Sequence, residues 1–330
     1  MFHVPAPRLA LLAALVCCAD PGRADDFAAT AAALPERSFA KLAPRPDLKR
    51  LPLPYSLWYW MDSAVWDPVH ARVLAVGGPG TCCANPAEYR LVTFDADGWR
   101  IARAPFEGAG HGYDANALDP RSGVLYFAPQ HVKTVSRYDG TQWTTLPELP
   151  WPGSTTPSLT WFPDLDGGRG GLVYVNQNGR VAWFDGTAWH AMPVPAHEPW
   201  AGYNQFSEYD PVHKRVLLGG GNGSGTVLYT LDANATLTRM KPAPIELGIG
   251  RTLVACDPVT GTFVVTVLAT QEYWAYDADR DAWTNVTATL HGTPRLASAF
   301  QVALPQDGVI LYFSHYHEYR DVWLFRYAPR

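Results

Sequence analysis

Short apolar runs recur along this chain, and turn residues bound each of them. The runs are Arg72-Val-Leu-Ala-Val-Gly77, Gly123-Val-Leu-Tyr-Phe127, Gly171-Leu-Val-Tyr-Val175, Arg215-Val-Leu-Leu-Gly219, Thr262-Phe-Val-Val265 and Val309-Ile-Leu-Tyr-Phe313. They are β-branched and aromatic, of strand length and without polar alternation, which predicts strands buried on both faces. Before each run stands a short signature. The copies are Trp66-Asp67-Pro68-Val69-His70, Leu118-Asp119-Pro120, Phe162-Pro163-Asp164, Tyr209-Asp210-Pro211-Val212-His213, Cys256-Asp257-Pro258 and a degenerate Leu304-Pro305-Gln306-Asp307. Proline presets φ and aspartate accepts from nearby backbone amides, so each signature predicts a tight turn into the following run.

A third strand then ends in aspartate, at Asp95, Asp139, Asp185, Asp232 and Asp277. Turns such as Asp139-Gly140 and Asp185-Gly186 lead into a fourth strand headed by Trp99, Trp143, Trp189, Leu237 or Trp283. Anchored on aspartates 67, 119, 164, 210, 257 and 307, the unit returns every 45 to 52 residues. Four strands per unit at that period predict an all-β fold, a six-bladed β-propeller. The sixth unit ends after its third strand, Val322 to Tyr327, while Phe39-Ala40-Lys41-Leu42 looks like a fourth strand. An N-terminal strand is therefore expected to complete the last blade and close the ring, pairing two edges that would otherwise invite aggregation. The expected organisation is a leader over 1–24, a linker over 25–38 and one propeller domain over 39–330. Its blades start near 55, 108, 154, 202, 248 and 293.

Trp66-Asp-Pro-Val-His-Ala-Arg-Val-Leu-Ala-Val-Gly-Gly78 and Tyr209-Asp-Pro-Val-His-Lys-Arg-Val-Leu-Leu-Gly-Gly220 resemble kelch repeats, as do Tyr138-Asp-Gly-Thr-Gln-Trp143 and Phe184-Asp-Gly-Thr-Ala-Trp189. More narrowly, they resemble exported bacterial kelch-like, galactose-oxidase-type propellers over roughly residues 39 to 330. The paired glycines occur only in the first and fourth units. Copper chemistry does not carry over, because no matching Cys–Tyr and His ligand set is present.

Composition sharpens this picture in three ways. Thirteen Trp, 28 Gly and 29 Pro in 330 residues suit short strands and tight turns. A net charge of −5 without a basic stripe argues against nucleic acid as a partner. Arg8, the apolar run Leu9 to Ala19 and Gly22-Arg23-Ala24 predict an export signal cleaved after Ala24, hence a periplasmic or secreted protein without a transmembrane segment. Such a mature protein would keep Cys82, Cys83 and Cys256, an odd number expected to stay unpaired.

Blade strands alternate in direction, so the Asp-Pro and Asp-Gly turns share one face and the longer, irregular loops share the other. Binding residues usually sit on variable loops held by a rigid scaffold. Candidate catalytic residues at that loop-rich face are His111, Tyr113, Tyr203, Arg251 and Arg295; candidate ligand-binding residues are Trp58, Trp60, Asn204, His131, His315 and His317. Asp114 lies beside the first set. His, Tyr and Arg in one pocket form an acid–base and anion-binding set of the kind a uronate lyase needs. His315 and His317 face one way on a strand, but a functional zinc usually needs three protein ligands, so no metal site is expected. His70 and His213 recur at equivalent turns and are expected to be structural, as are the fourth-strand tryptophans. Three functions follow as expectations, all for a monomer of unknown cofactor need. The first is a module binding a carbohydrate or small polar ligand; the second is a polysaccharide lyase or sugar epimerase; the third is a scaffold for an envelope protein partner.

Overall fold

The computed structural model describes residues 22–42, 63–78, 89–95, 98–106, 111–193, 202–223, 225–297, 299–316 and 319–329. Helix α1 (Gly22–Ala33) and strand β1 (Ser38–Lys41) precede the repeats. Blade one holds β2 (Val65–Asp67), β3 (Arg72–Gly77), β4 (Arg90–Asp95) and β5 (Gly98–Arg103). Blade two holds β6 (Asn116–Asp119), β7 (Val124–Phe127), β8 (Thr134–Tyr138) and β9 (Trp143–Glu148). Blade three comprises β10 (Ser158–Phe162), β11 (Gly171–Val175), β12 (Val181–Phe184) and β13 (Trp189–Ala191). In blade four come β14 (Gln205–Asp210), β15 (Arg215–Gly220), β16 (Leu228–Asp232) and β17 (Leu237–Arg239). Blade five has β18 (Thr252–Cys256), β19 (Phe263–Val267), β20 (Glu272–Asp277) and β21 (Ala282–Asn285). Blade six has β22 (Ala299–Leu304), β23 (Val309–Tyr316) and β24 (Tyr319–Arg326), with β1 antiparallel to β24 and Phe39 opposite Phe325. The result is a ring of six antiparallel four-stranded sheets, a β-propeller.

The turn signature works as its residue types demand. Asp67 is fully buried; its Oδ1 accepts from the amides of Val69 and His70, while Oδ2 lies 2.7 Å from His70 Nδ1 and 2.8 Å from Arg72 Nε. Asp210 repeats this with Val212, His213 and Arg215. His70 and His213 thus brace their own turns. The device also couples blades: a Cβ on Gly261 of blade five would lie 2.5 Å from Asp210 Oδ1 and 2.4 Å from His213 Nδ1. At the outer hairpin of blades two and three, Asp139 and Asp185 each accept two backbone amides and a threonine hydroxyl around a glycine at φ +97°.

The core lies between neighbouring blades, where double-sided strands must meet apolar surface on both sides. Trp99 of blade one meets Phe313 of blade six edge to face at 4.9 Å, and Trp189 of blade three donates Nε1 to Pro147 O of blade two. The fourth-strand tryptophans are packing residues. Ala31 and Leu34 bury against this same first-to-sixth seam, and Arg326, 4% exposed, donates Nη2 to Ala31 O at 2.5 Å. The stretch expected as a linker therefore includes helix packed on the ring. Residues 1–21, which hold most of the expected leader, lie outside the described residues, as do Cys82 and Cys83. Cys256 is a buried free thiol.

Candidate functional site

The innermost strands β2, β6, β10, β14, β18 and β22 surround a cavity of about 550 Å³ along the ring axis. In all six blades the lining comprises the proline of the turn signature and the residues two and four positions before it, the period of two expected of a strand. The ring of residues two before proline is uneven: Trp66, Leu118, Trp161, Tyr209, Cys256 and Ala303. Large side chains from blades one to four thus make up one side of the ring, and small ones from blades five and six the other. The exposed and half-exposed prolines place the mouth at the Asp-Pro rim, where Val69 and Val212 are also exposed, at 50% and 42%.

Deeper inside, the walls become polar. Asp114 is 5% exposed and reaches from blade two across to blade four: Ser158 Oγ donates to its Oδ2 at 2.5 Å and the Ser207 amide at 2.6 Å. Ser207 Oγ lies 2.5 Å from Ser158 Oγ and 2.6 Å from Thr160 Oγ1. Burial drives the Asp114 carboxyl well above the usual carboxylate range, and these hydrogen bonds only partly oppose it. Glu208, from the middle of β14, accepts the Cys256 amide at 3.1 Å. Burial, reinforced by the charge of Asp114, pushes its pKa up to about 8. Gln301, 4% exposed, also lines the cavity, and its Oε1 meets no hydrogen-bond partner among the described residues. No lysine, arginine or histidine is among the described residues lining the lumen. Two carboxyls therefore share a mostly apolar space without a basic counterpart.

The residues expected at the loop-rich face fall into separate groups. Three come together: the His111 and Tyr113 rings are 5.0 Å apart and edge to face, and the Tyr113 and Tyr203 rings are 6.2 Å apart. Tyr113 has φ +43° and is 3% exposed. Burial keeps its phenol protonated and lowers the His111 pKa to about 4, so both are neutral at pH 7. Asn204 adjoins them, accepting the Ile249 amide through its own carbonyl at 2.9 Å. Arg251 instead pairs with Glu246 at 2.6 Å, in the connection leading into β18. His131 lies by Thr155 Oγ1 at 3.5 Å, and Arg295 is exposed. Trp58, Trp60 and His317 lie outside the described residues, as does the side chain of His315. Among the described residues, no group of three His, Cys, Asp or Glu is placed to hold a metal ion. Nor is any described helix long and apolar enough to cross a membrane.

No family model and no curated relative matches this chain. Solved structures resemble it loosely. One is a catalytically inactive virginiamycin B lyase from Staphylococcus aureus with quinupristin: TM-score 0.47, 11% identity, 78% of this chain and 86% of that one. A second is YCF48 bound to D1 peptide: TM-score 0.47, 12% identity, 79% and 77%. A nidogen/laminin complex gives TM-score 0.46 and 13% identity over 67% and 77%. Likeness at this level carries no inference about ligand or activity. Function has to be argued from the site.

Glu208 was missed by sequence reasoning, although a signal for it exists. Three positions before the turn proline the other five blades carry Val65, Ala117, Thr160, Ala255 and Val302. A carboxylate there breaks a pattern the repeat otherwise keeps small and mostly apolar. The uneven ring beginning with Trp66 was legible in the same way, once the copies are aligned on their prolines rather than their aspartates.

Proposed function

We propose that this propeller is a binding module that takes one small ligand into its lumen through the Asp-Pro rim. The observation that carries this reading is the cavity itself. Its volume of about 550 Å³ suits a small organic molecule, and it joins apolar walls to a few convergent polar groups. The kelch resemblance supports a rigid scaffold, and a carbohydrate or another small polar ligand remains within the class, since neutral carboxyls and Gln301 can pair with hydroxyls. The test is ligand-observed NMR with a panel of small aromatic and sugar fragments on the full chain and on Ala303→Trp. Ala303 belongs to the small side of the ring, in the blade opposite that of Trp161, so an indole there fills the lumen. Fragments that bind wild type and lose binding in the variant support the reading. Hits that bind both equally would place the site elsewhere.

A second reading draws on the shared position of His111, Tyr113 and Tyr203: an acid–base site for a sugar acid, with neutral His111 as base and Tyr203, 43% exposed, as the accessible proton donor. Turnover of a uronate-containing glycan that disappears in His111→Ala, with the fold intact, supports it. Unchanged turnover in that variant removes it.

A further inference from the structure

The lumen is asymmetric in charge as well as in size. Its two ionisable carboxyls, Asp114 and Glu208, come from blades two and four, and the described lining offers neither of them a cation. Asp114 is the better satisfied, with Ser158 and Ser207 donating to it. Among the described residues only the Cys256 amide donates to Glu208, which leaves acceptor capacity on its second oxygen. Towards the mouth, the aromatic members of the ring are Trp66, Trp161 and Tyr209, on blades one, three and four. Tyr126 stacks on Trp161 at 5.6 Å and 8°, and the Tyr209 hydroxyl donates to Asp164 Oδ2 at 2.5 Å, so both rings are held in place. Gln301 Oε1, buried and without a partner among the described residues, adds a third acceptor to the same cavity.

Acceptors without donors of positive charge, beneath fixed aromatic rings, match one ligand chemistry. A cation gains from carboxylates in a dry site and from the negative faces of Trp and Tyr, whereas an anion would meet uncompensated repulsion. We propose that the lumen is selective for an organic cation, an amine or quaternary ammonium group on an apolar body, with its charge against Glu208 and Asp114 and its body among Trp66, Trp161 and Tyr209. This deepens the lumen-binding reading and rests on it.

Binding such a cation must ionise Glu208, which burial keeps protonated around neutrality. The groups facing Glu208 are Asp114 from the strand β6 side, Cys256 from β18 and Tyr312 from β23; burial raises all three, so none supplies positive charge in its place. Affinity for a cation that cannot itself titrate therefore rises with pH through the range near 8, and a proton is released on binding.

The experiment is isothermal titration calorimetry of the full chain with benzyltrimethylammonium, benzyl alcohol and phenylacetate between pH 6.5 and 8.5. The cation is expected to bind at least about ten-fold tighter than the alcohol at the upper pH, and about ten-fold tighter there than at the lower one, as the ionised fraction of Glu208 grows. Phenylacetate is expected not to bind. Glu208→Gln should remove the pH dependence and bring the cation to the alcohol's level; Asp114→Asn is an independent variant with the same expected direction. Equal affinity for cation and alcohol in wild type, or a preference that survives both variants, overturns cation selectivity while leaving the lumen as a site. No binding by any of the three probes overturns both the selectivity and the lumen reading.

Discussion

The two ends of the central channel owe their order to different sources. At the Asp-Pro rim blades one and four carry the same contacts: Asp67 with His70 and Arg72 returns as Asp210 with His213 and Arg215, and a glycine of the next blade closes over each. At the other rim the side-chain contacts of His111, Tyr113 and Tyr203 have no copy in another blade among the described residues. Tyr113 takes a left-handed backbone conformation in blade two and meets Tyr203, from the segment ahead of blade four's inner strand. The comparison teaches that repetition marks scaffold, while a residue that departs from it inside a repeated frame marks chemistry. Glu208 and Asp114 lie between the two ends and belong to the second kind.

The strongest way to break the contrast is at the repeat itself. Asp210→Ala strips a buried carboxylate from His213, Arg215 and two backbone amides. It should cost about 3–5 kcal/mol in denaturant unfolding, as removal of one partner of a buried pair generally does. A loss below 1 kcal/mol would mean the turn network is decorative. Gly261→Ala comes next: φ is +73° and the new methyl would press on Asp210 and His213, for an expected loss of about 2–3 kcal/mol. Its control is Gly140→Ala, at φ +97° with open space around the methyl, where strain alone should cost about 1 kcal/mol.

Smaller effects sharpen the chemical side. Glu208 has a folded pKa of about 8 against an ordinary value of 4.5, so the folded state holds the proton more tightly than the unfolded one. The group therefore imposes no penalty below pH 4.5 and increasingly destabilises the fold as pH rises towards 8. Glu208→Gln should flatten the fall in melting temperature over that window, and an unchanged slope would assign it to other groups. His111 has the opposite sign: a folded pKa of about 4 against 6.5 means the unfolded state binds the proton better, so stability gained between those values is lost on acidification. NMR should show an imidazole that stays neutral down to about pH 5; titration near 6.5 would place His111 in solvent.

Much of this was legible beforehand for a physical reason. Asp-Pro turns, double-sided apolar runs and Asp-Gly hairpins are local signals, so strands such as β9 and β13 start at the tryptophans that predicted them, Trp143 and Trp189. The candidate site was less legible. His111, Tyr113 and Tyr203 were chosen for their place ahead of the inner strands and do meet, because those segments converge on one rim. Arg251 shared that placement, yet its side chain turned to Glu246, a choice of rotamer and neighbour that spacing cannot encode.

What the sequence alone determined is the unit and its number, since a strand's face and a turn's geometry depend on residues a few positions apart. Only the tertiary structure decided what fills the axis. Asp114 and Ser207 are far apart along the chain and meet because three blades bring them there, and the burial that shifts the carboxyls exists only once the ring has formed.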